Sequence, residues 1–172
     1  MKKYNFIRTN KKITYLILLF CISFGYSQEK RKAFTLQIAA DKEHYYKAEI
    51  PESPYFVKDK ILQIYCGEKI LIECEIKSDT IASMKFVSKN THPEKTIEIN
   101  FTQSTENTDN IITMLEVVNP FDKKLIYEAI MFTPIKQQWQ PTSIIPIQPK
   151  LTNFETWPHG IVTLVLENWH FE

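Results

Sequence analysis

The sequence predicts an all-β protein, an immunoglobulin-like antiparallel β-sandwich of about nine short strands, and three observations predict it. Apolar and polar side chains alternate with period two in four separate segments. No segment carries an i, i+3, i+4 apolar stripe through ten residues. Turn-forming clusters interrupt the chain at short intervals. A closed barrel is the alternative architecture for the same pattern.

Taken in order, Phe34, Leu36, Ile38 and Ala40 share one side of an extended segment, with Thr35 and Gln37 on the other. Prolines between 51 and 58 mark an irregular connection, so residues 28–50 read as a leading strand of the same domain. Residues 61–65 and 70–77 follow, with Ile70, Ile72, Cys74 and Ile76 alternating against Glu73, Glu75 and Lys77. Between them Cys66-Gly67-Glu68 reads as a tight hairpin turn. A strand at 82–88 ends in the polar loop Asn90-Thr91-His92-Pro93, and Ile97, Ile99 and Phe101 alternate with Glu98, Asn100 and Thr102.

After a polar loop at 105–110, the strand at 111–118 stops at Asn119-Pro120-Phe121-Asp122. Proline lacks an N–H and biases the residue before it away from helix. Leu125, Tyr127, Ala129 and Met131 form another apolar face, and β-branched and aromatic neighbours favour strand over helix there. Pro134, Pro141, Pro146 and Pro149 restrict any strand at 143–147 to a short or edge position. Apolar residues on both faces of Ile161 to Leu166 place the last strand, 161–171, centrally in its sheet.

Residues 1–27 read as a secretory signal rather than structure. Lys2, Lys3, Arg8, Lys11 and Lys12 precede the apolar run Ile13 to Phe24, and Gly25 and Ser27 suit cleavage before Gln28. As a helix that run spans about 18 Å, against a hydrocarbon core of about 30 Å, which disfavours a membrane anchor. Lipidation at Cys21 is disfavoured by bulky Phe20 before it. The expectation is one domain at 28–172, periplasmic or extracellular, with no stable membrane span after cleavage. The whole chain has 21 basic and 20 acidic side chains; the leader removes five cations and no acid, leaving 16 against 20. That mild acidity argues against nucleic acid and against simple attraction to an anionic membrane.

Cys66 and Cys74 remain after cleavage, where a disulfide is chemically permitted. A hairpin at 67–68 sets Cys66 opposite Lys69 and Cys74 opposite Ile61, about 16 Å apart. A bridge needs Cα atoms within about 7 Å, so free thiols are expected.

No phosphate loop, dinucleotide fingerprint, zinc-ribbon spacing or nucleophile elbow occurs. His44, His92, His159 and His170 are scattered, and only His44 with Glu43 and Glu49, and His170 with Glu172, are loose neighbours; no metal or cofactor is expected. Cys66 beside Gly67, or Ser143 with a histidine, has no spacing that selects a catalytic arrangement, so no catalytic residue is assigned. The candidate contact residues are Phe154, Trp157 and His159 in an aromatic stretch beside Pro158, and Phe121 in the 119–124 loop. The alternative for Trp157 is a plug closing the sandwich end. Asp79-Thr80-Ile81 is similar to an O-glycosylation acceptor, which makes Thr80 a modification candidate, and Asn100-Phe101-Thr102 is a formal N-glycosylation sequon.

Asn119-Pro120-Phe121, Leu125-x-Tyr127, Thr142-Ser143-x-x-Pro146 and Glu155-x-Trp157-Pro158-x-x-Ile161 resemble the pattern of a family of uncharacterised secreted bacterial proteins. The resemblance implies a secreted β-domain and assigns no catalytic residue. The functional expectation is a non-catalytic exported binding or structural module of the cell envelope, meeting a protein or a glycan. A small secreted hydrolase with a dispersed site, and an accessory or inhibitor subunit of an exported complex, are the rivals.

Overall fold

Alternating side chains need a buried face and a wet face, and the computed structural model, which describes residues 30–104 and 110–172, supplies both by stacking two sheets. The leader, its cleavage point, Cys21 and most of the 105–110 loop lie outside the described residues. The strands are β1 (Lys30–Arg31), β2 (Phe34–Ala39), β3 (Tyr45–Ile50), β4 (Ser53–Pro54), β5 (Phe56–Lys58), β6 (Ile61–Tyr65) and β7 (Lys69–Lys77). They continue as β8 (Thr80–Val87), β9 (Thr96–Ser104), β10 (Ile112–Val118), β11 (Leu125–Thr133), β12 (Gln138–Thr142), β13 (Thr152–Trp157) and β14 (Thr163–Phe171). One helical turn, Pro93–Lys95, opens on a proline whose missing N–H costs nothing there.

The first sheet runs β13-β10-β9-β7-β8 and the second β12-β11-β14-β6-β5, with every paired neighbour antiparallel. Ile70, Ile72, Ile97, Ile99, Phe101 and Leu115 of the first meet Leu62, Ile64, Leu125, Leu164 and Leu166 of the second in one core. This is an all-β sandwich. Truncating one such leucine to alanine costs about 2–5 kcal/mol. As its doubly apolar sequence requires, β14 sits mid-sheet between β11 and β6.

Three connections differ from expectation. Residues 28–50 do not form one leading strand: β2 and β3 pair with each other, Phe34 against Ile50 through Ala39 against Tyr45. Their turn is set by Asp41, whose carboxylate accepts the N–H groups of Glu43 and His44, both at 2.8 Å. The backbone hydrogen bonds to Glu43 and the contact with His44 hold the Asp41 carboxyl below its usual range.

The Cys66-Gly67-Glu68 turn is not a hairpin either. β6 belongs to the second sheet and β7 to the first, so the chain crosses the core at Gly67, whose φ of 96° a side chain would resist. Gly67 N–H donates to Phe101 O at 2.7 Å, Phe101 N–H donates to Glu68 O at 2.9 Å, and Cys66 N–H donates to Val162 O at 3.0 Å. Cys74 therefore faces Met84 across the ladder, not Ile61. Both thiols are free and buried, and burial pushes each up to about 12.

Residues 143–147 contribute only the bridge of Ile147 to Leu125, and the strands of that region are β12 and β13. Pro141 is tolerated because β12 is an edge strand.

The crossover is clasped from the N-terminal side. β1 pairs with β4 and places Arg31, 2% exposed, between the rings of Tyr55 and Tyr65 at 4.7 and 4.8 Å. Its Nε donates to Glu68 Oε1 at 2.9 Å, while Nη2 donates to Gln63 O at 2.6 Å and to Glu68 Oε2 at 3.3 Å. Nη1 donates to Ser53 Oγ at 3.1 Å. Glu68 Oε2 also accepts Tyr65 N–H at 2.7 Å.

Candidate functional site

Of the residues singled out from sequence, two are packed inside. Trp157 ends β13 with its ring buried, and Nε1–H donates to Thr142 Oγ1 at 2.9 Å, tying an edge strand of one sheet to an edge strand of the other. Phe121 is buried edge-on against Phe171, with centroids 4.8 Å apart. Its loop is organised by Asn119, whose Nδ2 donates to Lys123 O, Ile147 O and Gln148 O, and whose Oδ1 accepts Phe121 N–H. The Asn-Pro-Phe motif thus builds a loop.

Phe154 is exposed on the solvent side of the first sheet, opposite Glu116. His159 is half-buried and joins Trp157 through Thr113, which pairs with Trp157 in register and donates its hydroxyl to His159 O at 2.7 Å. Phe121 lies beyond the other end of β10, about 20 Å away along the strand. Thr80 is exposed at a hairpin, where its hydroxyl donates to Lys77 O at 2.7 Å.

The two outward faces are unlike. On the first sheet, Phe154, Glu116, Asn100 and Lys69 run across four strands, and Asn100 Nδ2 donates to Glu116 Oε2 at 3.3 Å. Beside them Asn90 donates to Glu98 at 3.0 Å. Glu73 is bonded by Lys85 at 3.0 Å and by His92 Nδ1 at 2.7 Å, with Lys95 at 3.5 Å. Those partners, Lys85 first and His92 second, hold the Glu73 carboxyl down at about 2. On this face the charged and amide groups are paired with one another, and Ile112, Met114 and Val118 of β10 and Phe154 of β13 lie among them.

The second sheet turns apolar side chains to water. Trp139 of β12 lies opposite Phe132 of β11 with centroids 5.3 Å apart, and Trp139 is 50% exposed. Pro141, Ile130 and Val165 form the next row across β12, β11 and β14, ending at Gln63 of β6. Polar groups border them: Gln63 Nε2 donates to Tyr65 Oη at 3.2 Å, and Glu128, opposite Glu167, accepts Asn168 Nδ2 at 2.8 Å. Sequence reasoning passed over this face because Trp139 sits in the polar run Lys136-Gln137-Gln138-Trp139-Gln140-Pro141. The available signal was in 125–133, where the positions facing away from the core read Ile126, Glu128, Ile130 and Phe132, mostly apolar where water should select polar residues.

Chemically, this surface can stack on a planar or apolar group and donate or accept hydrogen bonds around it. Among the described residues, no group of three His, Cys, Asp or Glu side chains could hold a metal ion. No helix among the described residues is long and apolar enough to cross a membrane.

Fold and surface together define a class, an all-β sandwich whose second sheet turns an aromatic and aliphatic cluster to water. No protein family, curated protein or solved structure matches the chain.

Proposed function

We propose that the chain is a non-catalytic exported β-sandwich that meets a partner protein of the cell envelope through the outer face of its second sheet. The observation that carries this reading is the pair of rows Trp139–Phe132 and Pro141–Ile130–Val165 on a solvent-facing surface. A tryptophan with aliphatic neighbours inside a border of Gln63, Glu128 and Glu167 has the make-up of a protein interface, apolar at the centre and polar at the rim. Strand addition at the adjoining edge is disfavoured, because Pro141 of β12 offers no N–H to an incoming strand. Export rests on the leader pattern.

The experiment is photo-crosslinking in the envelope of the living host. A photoreactive residue replaces Pro141 on the proposed face, and in a control it replaces Thr152 on the outer face of the first sheet. A discrete protein adduct from position 141 alone, abolished by Trp139→Ala, supports the reading. Equal adducts from both positions, or none, would sink it. A glycan that binds the purified protein and shifts Trp139 fluorescence, with no adduct, moves the assignment to glycan recognition.

A further inference from the structure

The sheet face does not account for a cleft beside the β11–β12 turn, walled by the end of the β2–β3 hairpin and by the linker that precedes β14. The cleft encloses about 220 Å³. That is the liquid volume of roughly seven waters, enough for one small molecule or one amino-acid residue. Ala40, Pro134 and Ile135 give it apolar walls, and Thr133, Lys136 and His159 bring the polar groups. Gly160 keeps the walls together: a Cβ there would stand 2.5 Å from Ala39 O and 3.4 Å from Pro134 Cγ.

Two of the polar groups are unspent. Thr133 is 7% exposed and its Oγ1 has no hydrogen-bond partner, which in a sealed core costs about 1–3 kcal/mol. Lys136 is exposed on the turn and, among the described residues, has no ion-pair partner. His159 Nδ1–H is already engaged, donating to Gly160 O at 3.2 Å. A hydroxyl donor and one ammonium beside apolar walls match a single negative charge on a short hydrocarbon.

We propose that this cleft binds a small carboxylate carrying a short apolar tail. The carboxylate accepts from the Lys136 ammonium and, after rotation about χ1 turns it outward, from the otherwise sealed Thr133 hydroxyl, and the tail covers Ala40, Pro134 and Ile135. Two sources share that chemistry, a free short-chain fatty acid and the C-terminal residue of a peptide.

The test is a ¹H–¹⁵N NMR titration of the purified protein with hexanoate, and with hexanamide as the neutral control of equal shape. Saturable shifts at the Ile135 and Gly160 amides with hexanoate, and none with hexanamide at equal concentration, are expected. Lys136→Met should raise Kd at least tenfold. Thr133→Val should raise it several-fold while leaving the fold at least as stable, since no hydrogen bond is lost from the free protein. A peptide ending in leucine, compared with its C-terminal amide, separates the sources: tighter binding than hexanoate assigns the peptide terminus, and weaker binding assigns the free acid. No saturable shift, equal response to hexanamide, or an unchanged Kd in Lys136→Met would overturn the proposal.

Discussion

Replacing Arg31 with methionine removes a guanidinium that is 2% exposed and bonded to Glu68, Gln63 and Ser53. Methionine fills much of the slot between Tyr55 and Tyr65, so the loss is mainly electrostatic. Glu68, with 12% of its side chain exposed, keeps Tyr65 N–H but loses its counter-ion. Breaking one side of a buried pair costs about 3–5 kcal/mol, largely because the other charge is stranded. That is a large share of a total stability of about 5–15 kcal/mol, and at about 2–4 °C per kcal/mol it lowers Tm by roughly 10 °C. The double variant Arg31→Met, Glu68→Gln leaves no stranded charge and should recover more than half of the loss. Urea unfolding followed by tryptophan fluorescence, with the m-value checked for constancy, measures all three proteins. A loss below 1 kcal/mol in the single variant, or a double variant as unstable as the single, would refute the clasp.

Other expectations follow from the same contacts. Glu73 is held at about 2 in the fold, below its ordinary carboxylate value, so its stabilising contribution is complete above about pH 4.5 and lost as pH falls through about 2. Glu73→Gln should therefore be less stable at pH 7 and show a flatter stability profile between pH 4.5 and 2, read by urea midpoints at several pH values. Tyr127 stacks on Trp169 at 4.4 Å with its buried hydroxyl unpaired, and burial pushes that hydroxyl's pKa up. Tyr127→Phe should raise stability by up to about 1 kcal/mol, and a loss above 1 kcal/mol in thermal unfolding would contradict the unpaired state. Ser78 and Asp79 form the β7–β8 turn at φ of 45° and 61°, the geometry that Asn-Gly prefers. The pair Ser78→Asn, Asp79→Gly should raise Tm by a few degrees, corresponding to about 1 kcal/mol.

Period-two alternation was enough to locate β7, β9 and β11 because each has one face in the core and one in water. The doubly apolar run of β14 fixed its central position for the same reason. Alternation carries no information about which strand is the neighbour, so the immunoglobulin-like order stayed an expectation. The glycine at 67 is a turn signal whether the chain folds back or crosses to the other sheet; only Phe101, which bonds Gly67, and Val162, which bonds Cys66, decide, and both are distant in sequence. In β3, Tyr46, Ala48 and Ile50 alternate with Lys47 and Glu49 and face the core, but no glycine or proline between 34 and 50 marks the turn that separates it from β2. Beside Pro158, Trp157 suits from sequence either a contact residue or a plug closing the sandwich end, and its ring is buried. Its burial depends on Thr142, which accepts the indole N–H across the gap between sheets. The apolar outward face became visible only once Trp139, Phe132 and Val165 were placed in register.

The position of β14 also governs how the chain can be made. Its two ladder partners, β6 and β11, precede it in the sequence, and they touch each other only through it. A chain emerging residue by residue from a ribosome or a translocation pore can form the β7–β8 and β9–β10 hairpins early, since their partners are close in sequence. It cannot close the second sheet until residues 163–171 have cleared the exit, so the bulk of the cooperative folding step waits for them. A chain halted at residue 160 would expose Leu62, Ile64 and Met131 as unpartnered strand surface, a substrate for chaperones and proteases rather than a smaller version of the domain.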